Sequence, residues 1–106
     1  MSYIQGFVIP VPAENKDAYR EMAAKMAPIL KEYGAERVVE CWGVAVPDGE
    51  VTDFRKAVKA KEGEQVVFSW IVWPDKATQD EAHTKIWVDP RMELNGPMPF
   101  DGKRMV

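Results

Sequence analysis

The sequence contains too little cysteine for a disulfide framework. Its 106 residues include one cysteine, Cys41, and a bond within the chain needs two. Secreted domains of this size usually depend on several such bonds, so we predict a cytoplasmic protein. We expect Cys41 to be a buried free thiol, which is commoner than a catalytic nucleophile.

Long apolar runs and a surplus of positive charge are also missing. No stretch approaches the roughly 20 apolar residues of a membrane helix, and the N-terminus has no basic region typical of a signal peptide. Fourteen basic and seventeen acidic residues give a net charge of -3. We therefore expect no membrane partner and consider nucleic acid an improbable one.

The familiar sequence motifs of cofactor and metal sites are absent as well. The chain has no glycine-rich phosphate loop, nucleophile elbow, paired-cysteine motif or zinc-protease helix. Its one histidine and one cysteine supply no metal-ligand pattern. The sequence predicts neither a metal nor a cofactor.

What is present is the alternation of elements expected of one small α+β domain over residues 1–106. Apolar residues at three- and four-residue steps between Tyr19 and Tyr33 indicate a helix, and Asp75 is a candidate cap for a second helix. The predicted segments are strands at 3–11, 37–46 and 66–73, helices ending near Gly34 and Trp87, a helical turn at 52–58, and a loop at 92–100. With a fourth strand beginning at the last residues, this order predicts a ferredoxin-like plait (βαββαβ).

The strands are apolar on both faces, which two helices cannot cover. Tyr3, Phe7 and Ile9 alternate with Ile4 and Val8, and β-branched or aromatic residues fill 66–73. Two helices cover one face of a sheet. A second copy of the sheet in a homodimer is the most economical cover for the other face; a bound ligand or an RNA strand is the alternative.

Several sequence blocks resemble the YbaA-like family of small bacterial proteins. The blocks are 11–13, 17–23, 39–42, 46–49, 51–55, 67–71, 89–92 and 98–105. The resemblance implies the dimeric α+β barrel superfamily, in which two plait sheets pair face to face. The family is of unknown function, some members carry an RNA-related label, and wider relatives include cofactor-independent monooxygenases, haem-degrading oxygenases and lactone isomerases.

His83 is the candidate catalytic residue, as a base or a hydrogen-bond partner. Asp80 precedes it by three positions, close enough on a helix to orient the ring, and Trp87 follows it by four. A partly exposed histidine at the edge of the core would show the same pattern.

The candidate ligand-binding residues are aromatic and cationic: Trp42, Trp70, Trp87, Arg55 and Arg91. The tryptophans could line an apolar pocket for a flat molecule, or fill the core and a dimer interface. The arginines could hold an anionic group, or form ion pairs that tie loops to the sheet.

These residues favour a homodimer that binds a small apolar or aromatic metabolite. Whether it is an enzyme stays open; cofactor-independent oxygenation or isomerisation is the chemistry that the superfamily resemblance implies. The alternatives are a non-catalytic ligand-binding or scaffold dimer and, less favoured, an RNA-associated protein.

Overall fold

The computed structural model describes residues 2–93 and 98–106, so residues 94–97 of the predicted loop at 92–100 lie outside the described residues. The helices and strands are β1 (Tyr3–Pro12), α1 (Lys16–Glu32), β2 (Arg37–Trp42), α2 (Phe54–Ala57), β3 (Glu64–Trp73) and α3 (Lys76–Ile86). Among the described helices, none has the length and apolar character needed to cross a membrane. The predicted α+β class is confirmed.

β3 is the central strand of an antiparallel sheet with the order β1-β3-β2. It pairs with all ten residues of β1, from Tyr3 opposite Trp73 to Pro12 opposite Glu64. β2 pairs with it over six residues. Residues directly opposite each other point to the same face, so the register assigns every strand side chain to one of two faces.

The edge of β1 that faces away from β3 carries one further backbone pair. The Val8 N–H donates to the Val106 carbonyl at 2.7 Å, and the Val106 N–H donates to the Val8 carbonyl at 2.9 Å. The backbone nitrogens of Pro10 and Pro12 point the same way as that of Val8, away from β3. Their missing N–H groups therefore remove no hydrogen bond to β3.

The hydrophobic core lies between one face of the sheet and helices α1 and α3. One cluster contains Ile9, Val11 and Val67 of the sheet with Tyr19 of α1. A second contains Trp73 of β3 with Ala35 and with Ala82 of α3. The helical stripe predicted from Tyr19 onward therefore faces the core, and the Asp75 carboxylate caps α3 by accepting from the Thr78 N–H at 2.7 Å, as predicted.

The opposite face of the sheet is covered at one end and open at the other. Val66 is buried, whereas Phe68 is 43% exposed and Ile4 is 54% exposed. Phe54 of α2 stacks on Phe68 with ring centroids 5.6 Å apart. We call the exposed apolar part of this surface the open face.

Two local predictions were wrong. β2 ends at Trp42 rather than at residue 46; Gly43 donates one more backbone bond to the Val66 carbonyl at 2.8 Å and passes so near β3 that a Cβ would lie 2.6 Å from that oxygen. Cys41 is exposed rather than buried. It lies opposite Phe68 on an edge strand, so its thiol belongs to the open face.

An ion pair joins the C-terminal segment to the first residue of β3. Two guanidinium nitrogens of Arg104 donate to the two carboxylate oxygens of Glu64 at 2.8 and 2.7 Å. The Glu64 side chain is only 8% exposed. Hydrogen bonding from Arg104 lowers the pKa of Glu64 to about 2.

We expect Arg104→Met to lower the stability at neutral pH by about 2 kcal/mol, since it leaves a buried carboxylate without its partner. A pKa of about 2 in the folded state, against an ordinary 4.5, means that the stabilisation is complete above pH 4.5. It is lost as the pH falls from 4.5 toward 2. Urea unfolding across this range measures the difference between the two proteins.

Arg20→Met is the matched control, because the Arg20–Asp17 pair is 77% and 83% exposed and such pairs contribute little. A difference between wild type and Arg104→Met that stayed constant from pH 7 to pH 2 would contradict the role given to Glu64.

Candidate functional site

A cavity of about 810 Å³ lies at the end of the helix-covered side of the sheet. Its wall combines side chains of β1, α1, β3 and α3 with the segments that follow α3. Four of the five methionines in the described part of the chain line it: Met26, Met92, Met98 and Met105. We call it the methionine cavity. Methionine is unbranched and polarisable, so such a wall can adapt to apolar molecules of different shapes.

His83 and Trp87 lie one helical turn apart on the cavity wall. The Trp87 indole N–H donates to His83 Nε2 at 2.8 Å, and the rings meet edge to face at 84°. An indole nitrogen is only a donor, so Nε2 must be the acceptor and the neutral imidazole carries its proton on Nδ1. Asp80 was expected to orient the His83 ring, but its carboxylate accepts from Lys76 at 2.8 Å instead. Trp87 is the residue that orients the ring.

Gln5 is a second polar group that a tryptophan fixes in the wall. The Trp73 indole N–H donates to Gln5 Oε1 at 3.2 Å. Trp73 is 1% exposed, so its indole has little freedom to move. The contact fixes which end of the amide is the oxygen and leaves the NH₂ group of Gln5 as the donor.

Asp89 belongs to the wall, but its carboxylate is already satisfied. It accepts from the Tyr33 hydroxyl at 2.6 Å and from Arg91 Nη2 at 2.9 Å. These bonds, from Arg91 above all, hold the pKa of Asp89 well below its usual range. Arg91 also donates to Glu32 at 2.5 Å, so this cluster ties the segment after α3 to the end of α1.

Both predicted anchoring arginines are therefore engaged in contacts within the chain. Arg55 donates to the carbonyl oxygens of Glu64 at 2.7 Å and of Lys61 at 3.1 Å. Arg91 is paired with Asp89 and Glu32. Arg91 thus forms the ion pairs of the alternative interpretation, whereas Arg55 binds backbone carbonyls rather than a carboxylate.

The other two tryptophans predicted to bind a ligand lie outside the methionine cavity. Trp70 is on the open face beside Phe68, with ring centroids 5.5 Å apart. Trp42 lines a smaller cavity of about 190 Å³ next to α1, and Lys16 Nζ lies 5.5 Å from the centre of its ring. Of the predicted site residues, the structure thus brings together His83 and Trp87.

Tyr19 and Glu40 form a polar pair in the smaller cavity that the sequence did not predict. The Tyr19 hydroxyl donates to Glu40 Oε2 at 2.8 Å. Burial of the carboxylate raises the pKa of Glu40, and burial with the Glu40 contact raises that of Tyr19. Both groups are therefore held toward their protonated forms.

Sequence reasoning also missed the methionines and Gln5. The only available signal was the number of methionines, six in 106 residues. Within the described ranges, histidine, cysteine and carboxylate side chains form no cluster of three that could hold a metal ion.

A family model described as "Protein of unknown function (DUF1428)" matches residues 2–102. The chain belongs to this family. It is 64% identical over 107 residues to the uncharacterized protein YbaA of Escherichia coli K12, covering 100% of this chain and 92% of the relative. The YbaA proteins of Escherichia coli O157:H7 and Shigella flexneri match to the same extent. The predicted resemblance to a YbaA-like family of unknown function is confirmed.

The His83–Trp87 contact leads to a spectroscopic prediction. At alkaline pH, where imidazoles are neutral, we expect ¹⁵N NMR to show His83 as the Nδ1–H tautomer. Trp87→Phe keeps an aromatic ring and removes the N–H, so the Nε2–H form that free imidazole side chains prefer should increase. Trp70→Phe, remote from His83, is the control. A dominant Nε2–H form in the wild type would contradict the contact.

Proposed function

We propose that this protein binds a small, largely apolar or aromatic metabolite in the methionine cavity. The observation that carries the proposal is the cavity itself, whose 810 Å³ lies within the roughly 300–1,000 Å³ of small-molecule sites. Its mostly apolar wall supplies affinity by burial. His83 and Gln5 supply the few oriented polar groups that fix a ligand's position.

Within this proposal His83 is a hydrogen-bond donor rather than a base. A general base needs an accessible lone pair, and the Nε2 lone pair already accepts the Trp87 N–H. The Nδ1–H is the group that remains for a ligand. Binding is therefore the proposed activity, and the oxygenase or isomerase chemistry of the wider superfamily is not required by it.

We also propose that the chain forms a homodimer through its open face. The support is the exposure of Ile4, Phe54 and Phe68, apolar side chains that a monomer would leave in water. Copies paired by a twofold axis would cover both sheets at once, as in a dimeric α+β barrel. A scaffold role without a ligand, the second candidate, would rest on this face alone.

The ferredoxin-like plait is the architecture that we propose for the sheet. The order β1-β3-β2 supplies three of its strands, and Val106 pairs with the edge of β1 where the fourth would lie. The cytoplasmic location is likewise a proposal, supported by the single cysteine.

A neutral apolar dye tests the binding site. We expect N-phenylnaphthylamine to bind with an increase in fluorescence, and Met105→Lys to weaken binding about tenfold by placing a charge in the apolar wall. Val44→Lys is the matched control, since Val44 is 85% exposed and outside the cavity. Equal binding by the two variants would count against the methionine cavity as the site.

Sedimentation equilibrium at micromolar concentration tests the dimer. We expect twice the mass of one chain for the wild type, and a monomer for Phe68→Glu, because two carboxylates would be buried in the interface. Val51→Glu, at a side chain 95% exposed and away from the sheet, should stay dimeric. A monomeric wild type would refute this interface.

A further inference from the structure

We infer that the methionine cavity selects apolar ligands that carry an uncharged hydrogen-bond acceptor, a carbonyl group above all. This inference rests on the proposed binding function and adds the chemistry of the ligand. Two indole groups carry it. Trp87 occupies the one acceptor lone pair of neutral His83, and Trp73 occupies one lone pair of Gln5 Oε1 and so fixes the orientation of the amide.

Both contacts act in the same direction because an indole can only donate. With Nε2 occupied, neutral His83 has only its Nδ1–H left to offer, and Gln5 keeps its NH₂ donors beside one remaining lone pair on Oε1. His83 is on α3 and Gln5 is on β1, so donors approach the cavity from two different elements. A ligand that brings an acceptor can therefore be held by either or both.

The charges of the wall favour an uncharged acceptor over a carboxylate. Among the described lining residues are two acidic ones, Asp89 and Glu93, and neither lysine nor arginine. Arg91, beside the cavity, is occupied by Asp89 and Glu32. An anion against this apolar wall would give up part of its hydration and gain no lysine or arginine partner, whereas a carbonyl oxygen needs only the N–H donors.

The methionines explain why the acceptor, rather than the outline of the ligand, would decide selection. Flexible thioether side chains can repack around molecules of different shape. The donors are instead oriented by hydrogen bonds: buried Trp73 holds Gln5, and Trp87, directly after α3, holds His83 one turn earlier. The cavity should thus discriminate weakly between ligands of different size and more strongly between ligands with and without a hydrogen-bond acceptor.

Three naphthalene probes of similar size test the inference by isothermal titration calorimetry: acetonaphthone, ethylnaphthalene and naphthoate. We expect acetonaphthone to bind about five- to tenfold more tightly than ethylnaphthalene, the gain of one or two neutral hydrogen bonds. Naphthoate should bind most weakly. Trp87→Phe should reduce the ratio of the ketone affinity to the ethylnaphthalene affinity about threefold.

Trp70→Phe is the matched control, because it makes the same change on the open face and should alter neither affinity. Equal affinity of the wild type for the ketone and the hydrocarbon, or tightest binding of naphthoate, would overturn the inference and leave the proposed binding function standing. Failure of all three probes to bind would instead overturn the proposed function.

Discussion

The structure depends on one constraint: its central strand is apolar on both faces. β3 places Val67 and Trp73 under the helices and Phe68 and Trp70 on the other side, and it pairs with all of β1. Helices α1 and α3 cover the first face, while the four-residue α2 covers only an end of the second. A helix-covered core and an exposed apolar surface are therefore two results of the same strand, and burying such a surface is the usual reason for association.

Ion pairs hold the cavity wall where regular secondary structure does not. Arg104, paired with Glu64, immediately precedes Met105, and Arg91, paired with Asp89 and Glu32, immediately precedes Met92. Each flexible methionine thus follows a guanidinium fixed to another element. An exposed ion pair adds little stability, but Glu64 and Asp89 are both nearly buried, with side chains 8% and 7% exposed. Breaking these pairs should loosen the cavity as well as the fold.

The sequence predicted the elements better than the site, because elements follow from local patterns. The spacing from Tyr19 to Tyr33 indicated α1, and Asp75 capped α3 as expected. The end of β2 at Trp42 was not visible in the sequence, because apolar residues continue to Val46. The roles of Arg55 and Arg91 could not be decided from the sequence either. Arg91 pairs with Glu32, 59 positions away, and Arg55 binds backbone carbonyls, which carry no sequence signature.

The tryptophans divide into groups with different physical roles, although composition presents them as one excess. Trp70 belongs to the open face, and Trp42 packs near Lys16. Trp73 and Trp87 use their N–H groups to orient neighbouring polar side chains, and that role depends on the partner atom rather than on the ring. A phenylalanine at position 87 would preserve the apolar surface and lose the orientation of His83. The consequence of these tryptophans for recognition therefore comes from their hydrogen-bond donors, which apolar burial alone would not distinguish.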